Sequence, residues 1–121
     1  RFPRLRMVAA HLGGPWFDEA FMMARVHPNL WLDVSSGSGW APKGMDARYF
    51  HQKLGWWNGF SKLIFGIDLP HTKHRPQTAV KEWRGILKAC KVPGTAQKKF
   101  WKENAQEILG FTAKTQRRQG K

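Results

Sequence analysis

The sequence has a single cysteine, Cys90, among its 121 residues. One thiol cannot form an internal disulfide, and it excludes a zinc site built mainly from cysteines. Long apolar runs are also missing, because no stretch approaches the roughly 18 to 20 residues that a membrane-spanning helix needs. The first six residues include three arginines and do not resemble the apolar segment of a secretory signal. We therefore expect a cytoplasmic protein with no membrane partner.

Acidic side chains are scarce, since 8 aspartates and glutamates face 21 lysines and arginines and leave a net charge of +13. This balance first indicates a protein that binds nucleic acid or another polyanion. The excess is uneven: residues 1–70 carry 8 basic and 5 acidic side chains, and residues 71–121 carry 13 and 3. Residues 111–121 hold four bases and no acid, which predicts a flexible basic tail. A small basic nucleic-acid or polyanion-binding module is the alternative function.

Aromatic residues are abundant, with seven tryptophans and eight phenylalanines. This supply of large apolar side chains excludes a wholly disordered chain and is sufficient for a packed core. The length fits one ordinary domain better than two.

Short apolar segments alternate with segments of helical periodicity. Strands are predicted at residues 5–10, covered on both faces, and at residues 30–34 and 62–67. Helices are predicted where apolar residues recur every three or four positions: Phe17, Ala20, Phe21 and Ala24; Met45, Tyr49, Phe50 and Leu54; Val80, Trp83, Leu87 and Cys90. A closing helix is predicted from an N-cap at Thr95 to a stop at Gly110. The alternation predicts an α/β fold with a parallel sheet.

A polar residue follows each predicted strand: His11 after the first, Ser35 and Ser36 after the second, and Asp68 after the third. Functional groups gather at the carboxyl ends of parallel strands, although a histidine or aspartate there is often only a structural residue. His11 and Asp68 are 57 positions apart. Two units of a (β/α)₈ barrel span about 60 residues, so this spacing predicts that both side chains point into one barrel mouth.

Four motifs occur in order along the chain: His-Leu-Gly-Gly at residues 11–14, His-Pro-Asn-Leu-Trp-Leu-Asp at 27–33, Phe-Gly-Ile-Asp-Leu-Pro-His at 65–71 and Asn-Ala-Gln-Glu-Ile-Leu-Gly at 104–110. The series resembles the C-terminal portion of the amidohydrolase-related family. These are metal-dependent (β/α)₈ enzymes that include hydrolases and decarboxylases of the aminocarboxymuconate-semialdehyde type. The resemblance implies that residues 1–110 supply strands 6 to 8 and the closing helices of a partial TIM barrel.

The resemblance also implies roles for individual residues. His11 matches a histidine that polarises the substrate or assists proton transfer. Asp68 matches an aspartate that binds a divalent metal, zinc or manganese, and manages a proton of the metal-bound water. His71 is expected to reach the substrate, and Trp40, in the glycine-rich loop after the second strand, to line its pocket.

Two departures from the family pattern affect these expectations. Ile67 stands where the family usually has serine, and the early His-x-His pair and a further histidine are absent. A catalytic metal typically needs three protein ligands, so the isolated chain is expected to be inactive. The expected partners are a small-molecule substrate and the remaining N-terminal part of the barrel, while homo-oligomerisation stays open. Most of the positive charge lies away from His11 and Asp68, so nucleic acid is not the expected partner.

Overall fold

The computed structural model describes residues 2–35, 45–68 and 76–111. Three strands and five α-helices follow one another in this part of the chain. In order they are β1 (Met7–Ala9), α1 (Phe17–Val26), β2 (Leu30–Asp33), α2 (Ala47–Leu54), β3 (Leu63–Ile64), α3 (Pro76–Ala89), α4 (Gly94–Lys98) and α5 (Asn104–Leu109). A π-helical turn, Lys99–Glu103, joins α4 to α5, so residues 94–109 form one closing helix.

The three strands form one parallel sheet in the order β1-β2-β3. In the register, Val8 lies opposite Trp31 and Leu32 opposite Leu63. Helix α1 connects the first two strands, and α2 lies in the connection between the second and third. The predicted α/β fold with a parallel sheet is confirmed.

One core joins residues from the sheet and from every helix between residues 17 and 100. The predicted apolar stripe of α1 is buried at Phe17, Phe21 and Ala24. The central strand contributes Leu32, which is fully buried. Other core residues, from the remaining elements, are Phe50, Leu54, Leu63, Trp83, Ile86, Leu87, Ala96 and Phe100. The helical periodicity of the sequence therefore identified the faces that pack together.

Strand β1 does not have the predicted cover on both faces. Leu5, Met7 and Val8 are 52%, 45% and 40% exposed. Successive strand residues point to opposite faces, so the exposure of neighbouring Met7 and Val8 leaves both faces of β1 partly open. The reason is the position of β1 at the edge of the described sheet, where it pairs with β2 alone.

Strand β3 is shorter than predicted, because residues 59–62 form a 3₁₀ turn before it. Its outer edge is covered by the closing helix instead of by another strand of the described chain. The Asn104 side-chain amide donates hydrogen bonds to the Ser61 and Leu63 carbonyl oxygens at 2.8 and 2.9 Å. The Phe65 N–H donates to the Phe100 carbonyl at 3.1 Å. These bonds pair the strand-edge groups that would otherwise be exposed or buried without partners.

The closing helix begins one residue earlier than Thr95, and the predicted N-cap there is wrong. Pro93 is the N-cap residue, and its carbonyl accepts the first helical hydrogen bond from the Gln97 N–H at 3.0 Å. Proline sets the backbone at this boundary, so Thr95 lies inside the first turn. The predicted stop at Gly110 is confirmed, since this residue has a φ of 76° and follows α5 directly. Within the described residues, no helix has the length and apolarity required to cross a membrane.

Candidate functional site

His11 lies directly beyond the carboxyl end of β1, in a tight turn formed by Ala10–Gly13. His11 and Leu12 have φ angles of 53° and 58°, in the left-handed region that non-glycine residues avoid at a cost of about 1–2 kcal/mol each. Leu12 is buried in the core and anchors the turn. Its neighbour His11 is thereby held at the carboxyl end of β1, with a side chain that is 30% exposed.

The two glycines that follow His11 let helix α1 approach this turn. A Cβ atom on Gly13 would lie 2.2 Å from the Ala20 Cβ, and the Gly13 φ of +78° also favours glycine. A Cβ atom on Gly14 would lie 2.8 Å from the Phe17 Cζ. The His-Leu-Gly-Gly motif thus has a packing reason as well as a chemical one, because the glycines set the position of His11 against α1.

Asp68 follows β3 at the same end of the sheet as His11, the end where the carboxyl termini of the strands lie. Its side chain is 31% exposed, and its Oδ2 lies 3.7 Å from the His11 Nε2. Asp68 also has a left-handed φ, of 56°. Non-glycine residues in this conformation concentrate at functional sites, and here two of them face each other across the sheet end. The structure therefore brings together the two residues that the sequence singled out.

The end of the central strand β2 also reaches His11, through Asp33 and Ser35. The Asp33 Oδ1 accepts hydrogen bonds from the Ser35 N–H at 2.8 Å and from the Ser35 hydroxyl. The same oxygen lies 3.4 Å from the His11 backbone nitrogen, which donates to it. Ser35 is buried, and its carbonyl oxygen and hydroxyl both contact the His11 Nδ1.

The sequence predicts no role for Asp33, and it marks Ser35 only as a strand-end residue. The signal was present as an aspartate and a serine two positions apart at the end of a buried strand. Trp40 and His71, predicted to contact substrate, lie outside the described residues. Of the predicted site, the structure therefore describes His11 and Asp68.

The donor atoms at this site fit part of a metal site. The Asp68 carboxylate and the His11 imidazole are both ligand types that bind zinc and manganese, and their facing atoms converge. Across the described ranges, no group of three or more histidine, cysteine, aspartate or glutamate side chains is arranged to hold a metal ion. Because catalytic metals typically have three protein ligands, these residues fit as contributors to a larger ligand set.

Several of the described basic residues of the second half lie on exposed helix surfaces. Lys81, Arg84 and Lys88 are exposed on α3, and Lys98 and Lys102 are exposed on the closing helix. These side chains line the outer surfaces of helices, where solvated lysines and arginines are ordinary.

Comparison with known proteins identifies one family. The family model described as amidohydrolase matches residues 1–111, a stretch that includes all three strands, His11 and Asp68. Members of that family are generally metal-dependent enzymes. No curated protein and no solved structure matches the chain.

Proposed function

The chain belongs to the amidohydrolase family, and on this basis we propose that it is the C-terminal part of a metal-dependent (β/α)₈ enzyme. In this proposal β1, β2 and β3 are strands 6, 7 and 8 of the barrel, and residues 94–109 are its closing helix. The reaction is hydrolysis or decarboxylation of a small organic substrate. The observation that carries the proposal is the 3.7 Å approach of the His11 Nε2 to the Asp68 Oδ2 at the carboxyl ends of the strands.

The position of this contact, at the carboxyl ends of parallel strands, supports a catalytic role. In (β/α)₈ enzymes the reacting groups lie at the carboxyl ends of the strands, on loops that a rigid sheet holds in place. His11 and Asp68 come from the first and third strands of the described sheet, separated in the chain by a complete strand and two helices. Their meeting supports a site formed by the fold, because no local turn connects them.

A divalent metal in such an enzyme supplies a bound water whose pKa is lowered to about 7. Asp68 would be one of the residues that hold the metal, and its carboxylate would accept and release a proton beside it. His11 would polarise the substrate or exchange a proton with it, since imidazole is suited to proton exchange near neutral pH. Trp40 and His71 remain our candidates for substrate contacts.

The ligand set of this chain explains why we expect activity only from a complete barrel. Asp68 is the one metal ligand that we assign to this chain, and a catalytic metal typically has three protein ligands. The partner that we propose is the remaining part of the barrel, which would bring a His-x-His pair and a further histidine. The isolated chain is accordingly expected to be inactive.

The test is to read the coding sequence upstream of this chain and to assay the resulting protein with zinc and manganese. We expect a His-x-His pair and a further histidine within about 200 residues, the length of the remaining barrel units. We also expect His11→Ala and Asp68→Asn to lower kcat by about 100-fold or more. Glu82→Gln, on the exposed surface of α3, is the matched control and should leave kcat unchanged.

Two outcomes would contradict the proposal. One is an upstream sequence that lacks the histidines. The other is a metal-dependent activity that survives both substitutions at the strand ends.

A further inference from the structure

The orientation of the His11 ring is set by Ser35. The His11 Nδ1 is hydrogen-bonded to the Ser35 carbonyl oxygen, and the Ser35 Oγ lies 3.3 Å from the same nitrogen. A carbonyl oxygen only accepts hydrogen bonds, so the ring nitrogen must be the donor and must carry a proton. The other nitrogen, Nε2, is then the one that holds a free lone pair in the neutral ring.

The contact between Asp33 and Ser35 is independent evidence that the proton lies on the His11 Nδ1. Its Oδ1 accepts the hydrogen bond of the Ser35 hydroxyl, so that hydroxyl proton points to the carboxylate and away from His11. The Ser35 Oγ can therefore only accept from the His11 Nδ1. Both Ser35 oxygens that contact Nδ1 are acceptors, and neither can hold a proton for it.

On the opposite side of the ring, Nε2 faces the carboxylate of Asp68. The Asp68 Oδ2 lies 3.7 Å from Nε2, beyond the 2.7–3.2 Å of an ordinary N–H···O hydrogen bond. A proton on Nε2 would gain little there, and moving it from Nδ1 would break the bond to Ser35. The geometry favours one tautomer of the neutral ring.

The carboxylate of Asp33 also holds this arrangement in place. Its Oδ1 accepts hydrogen bonds from the Ser35 N–H, the Ser35 hydroxyl and the His11 backbone N–H. Asp33 is the last residue of the central strand, where it lies opposite Ile64 of β3. It therefore ties the loop after β2 to the turn after β1, including the left-handed backbone of His11.

We propose that Asp33 and Ser35 are positioning residues that fix the neutral His11 ring with its proton on Nδ1, leaving Nε2 as the basic nitrogen that faces Asp68. Histidine rings bound to metals or acting in catalysis are commonly oriented through their other nitrogen in this way. The role in the reaction rests on the proposed function, but the tautomer does not, since it is a property of this chain alone.

The direct test is a long-range ¹H–¹⁵N correlation spectrum of the ¹⁵N-histidine-labelled chain, recorded where the histidine signals no longer change with rising pH. We expect a pyrrole-type shift for the His11 Nδ1 and a pyridine-type shift for its Nε2. The exposed rings of His27 and His51 provide the comparison and should show the opposite pattern, which free imidazole side chains prefer. If His11 of the unsubstituted chain showed the same pattern as His27 and His51, the proposal would be overturned.

Ser35→Ala and Asp33→Asn test which groups fix the tautomer. Ser35→Ala keeps the carbonyl acceptor but removes the hydroxyl link, and Asp33→Asn removes the carboxylate charge. We expect each to increase the Nε2-protonated population of His11 and to leave the His27 and His51 signals unchanged. An unaltered His11 pattern in both folded variants would show that neither residue positions the ring.

An active enzyme containing this chain separates the two proposals. There, Ser35→Ala and Asp33→Asn should lower kcat by about 10- to 100-fold, with a smaller change in KM. The expected tautomer in a barrel without activity would refute the proposed function alone. An active enzyme with the proton on the His11 Nε2 would refute this inference alone.

Discussion

Asn104 provides the sharpest test of how the sheet edge is closed. It is only 2% exposed, and its amide donates to the Leu63 carbonyl of β3 at 2.9 Å and to the Ser61 carbonyl of the preceding turn at 2.8 Å. Asn104→Ala removes both hydrogen bonds, of which the one to the Leu63 carbonyl is buried and the one to the Ser61 carbonyl is partly buried. The substitution changes no charge, so its effect on stability reports the lost hydrogen bonds and the lost packing.

The expected loss follows from the number and burial of these bonds. A hydrogen bond contributes about 0.5–1.5 kcal/mol to stability, and a buried group left without a partner costs about 1–3 kcal/mol. Two such bonds to one buried side chain give an expected decrease of about 2–4 kcal/mol in the free energy of unfolding. Asn104→Asp should cost more at neutral pH, because a buried carboxylate would face two carbonyl oxygens.

The carboxylate introduced by Asn104→Asp also gives a pH signature. Burial and the neighbouring carbonyls would raise its pKa above the usual value of about 3.9. As the pH rises, the carboxyl group of the unfolded state would then lose its proton at a lower pH than that of the folded state. The extra destabilisation is therefore present at neutral pH, declines as the pH falls through the raised pKa, and is gone below about 3.9.

The assay is urea unfolding of each variant, followed by tryptophan fluorescence. Asn29→Ala is the matched control, since the Asn29 amide donates a single 2.8 Å bond to the Pro3 carbonyl in an exposed region. We expect that control to cost less than about 1 kcal/mol, because water replaces the lost bond. If Asn104→Ala destabilised the chain no more than Asn29→Ala, our account of the β3 edge would be refuted.

Two further predictions concern the core. Gly13→Ala should destabilise the chain by about 2–5 kcal/mol in urea unfolding, because the new Cβ clashes with Ala20 and the backbone is left-handed. Gly85→Ala should instead stabilise the chain by about 0.5–1 kcal/mol, because a Cβ at this position of α3 meets nothing within 4 Å. Equal effects of the two substitutions would contradict the packing of the glycine turn. Burial raises the pKa of the Cys90 thiol above its ordinary value of 9.0. The contribution of the neutral thiol to the free energy of unfolding should therefore be fully present below pH 9.0 and decline as the pH rises through the folded pKa. The stability difference between the natural chain and Cys90→Ala, measured from pH 8 to pH 10, should therefore fall with pH, and a constant difference would contradict this.

The helices were the most predictable part of the fold, because their periodicity records which faces are buried. Phe17, Phe21 and Ala24 recur at helical spacing in the sequence and are all buried in the structure. In α3 the predicted stripe is buried at Trp83 and Leu87, while Val80 and Cys90 at its ends are only partly buried. Stripes are set by local geometry, and their ends depend on neighbours that the pattern does not reveal.

The strands were less predictable, because burial and edge pairing depend on distant residues. The apolar run at residues 5–10 predicts a strand covered on both faces, yet Met7 and Val8 are exposed at the sheet edge. The run at residues 62–67 predicts six strand residues, but β3 contains only Leu63–Ile64. Asn104 lies more than forty residues away and closes that edge, an interaction that no local pattern in β3 indicates.

At the candidate site, the sequence identified His11 and Asp68 but missed two residues that contact His11. Strand ends and barrel spacing were enough to predict that the two side chains meet. Asp33 and Ser35 were overlooked as site residues because their role depends on three-dimensional hydrogen bonds to the turn after β1. Polar residues that position a functional group leave a weaker mark in a single sequence than the group itself.

The meeting of His11 and Asp68 is the central claim, and one measurement tests it most directly. In a ¹³C-edited nuclear Overhauser spectrum of the chain, the ring protons of His11 should show cross-peaks to the Cβ protons of Asp68. The ring contact between Phe50 and Trp83, with centroids 4.9 Å apart, is the internal reference for a folded sample. A spectrum that contains the reference cross-peak and assigned signals for both site residues, but no cross-peak between them, would contradict the account.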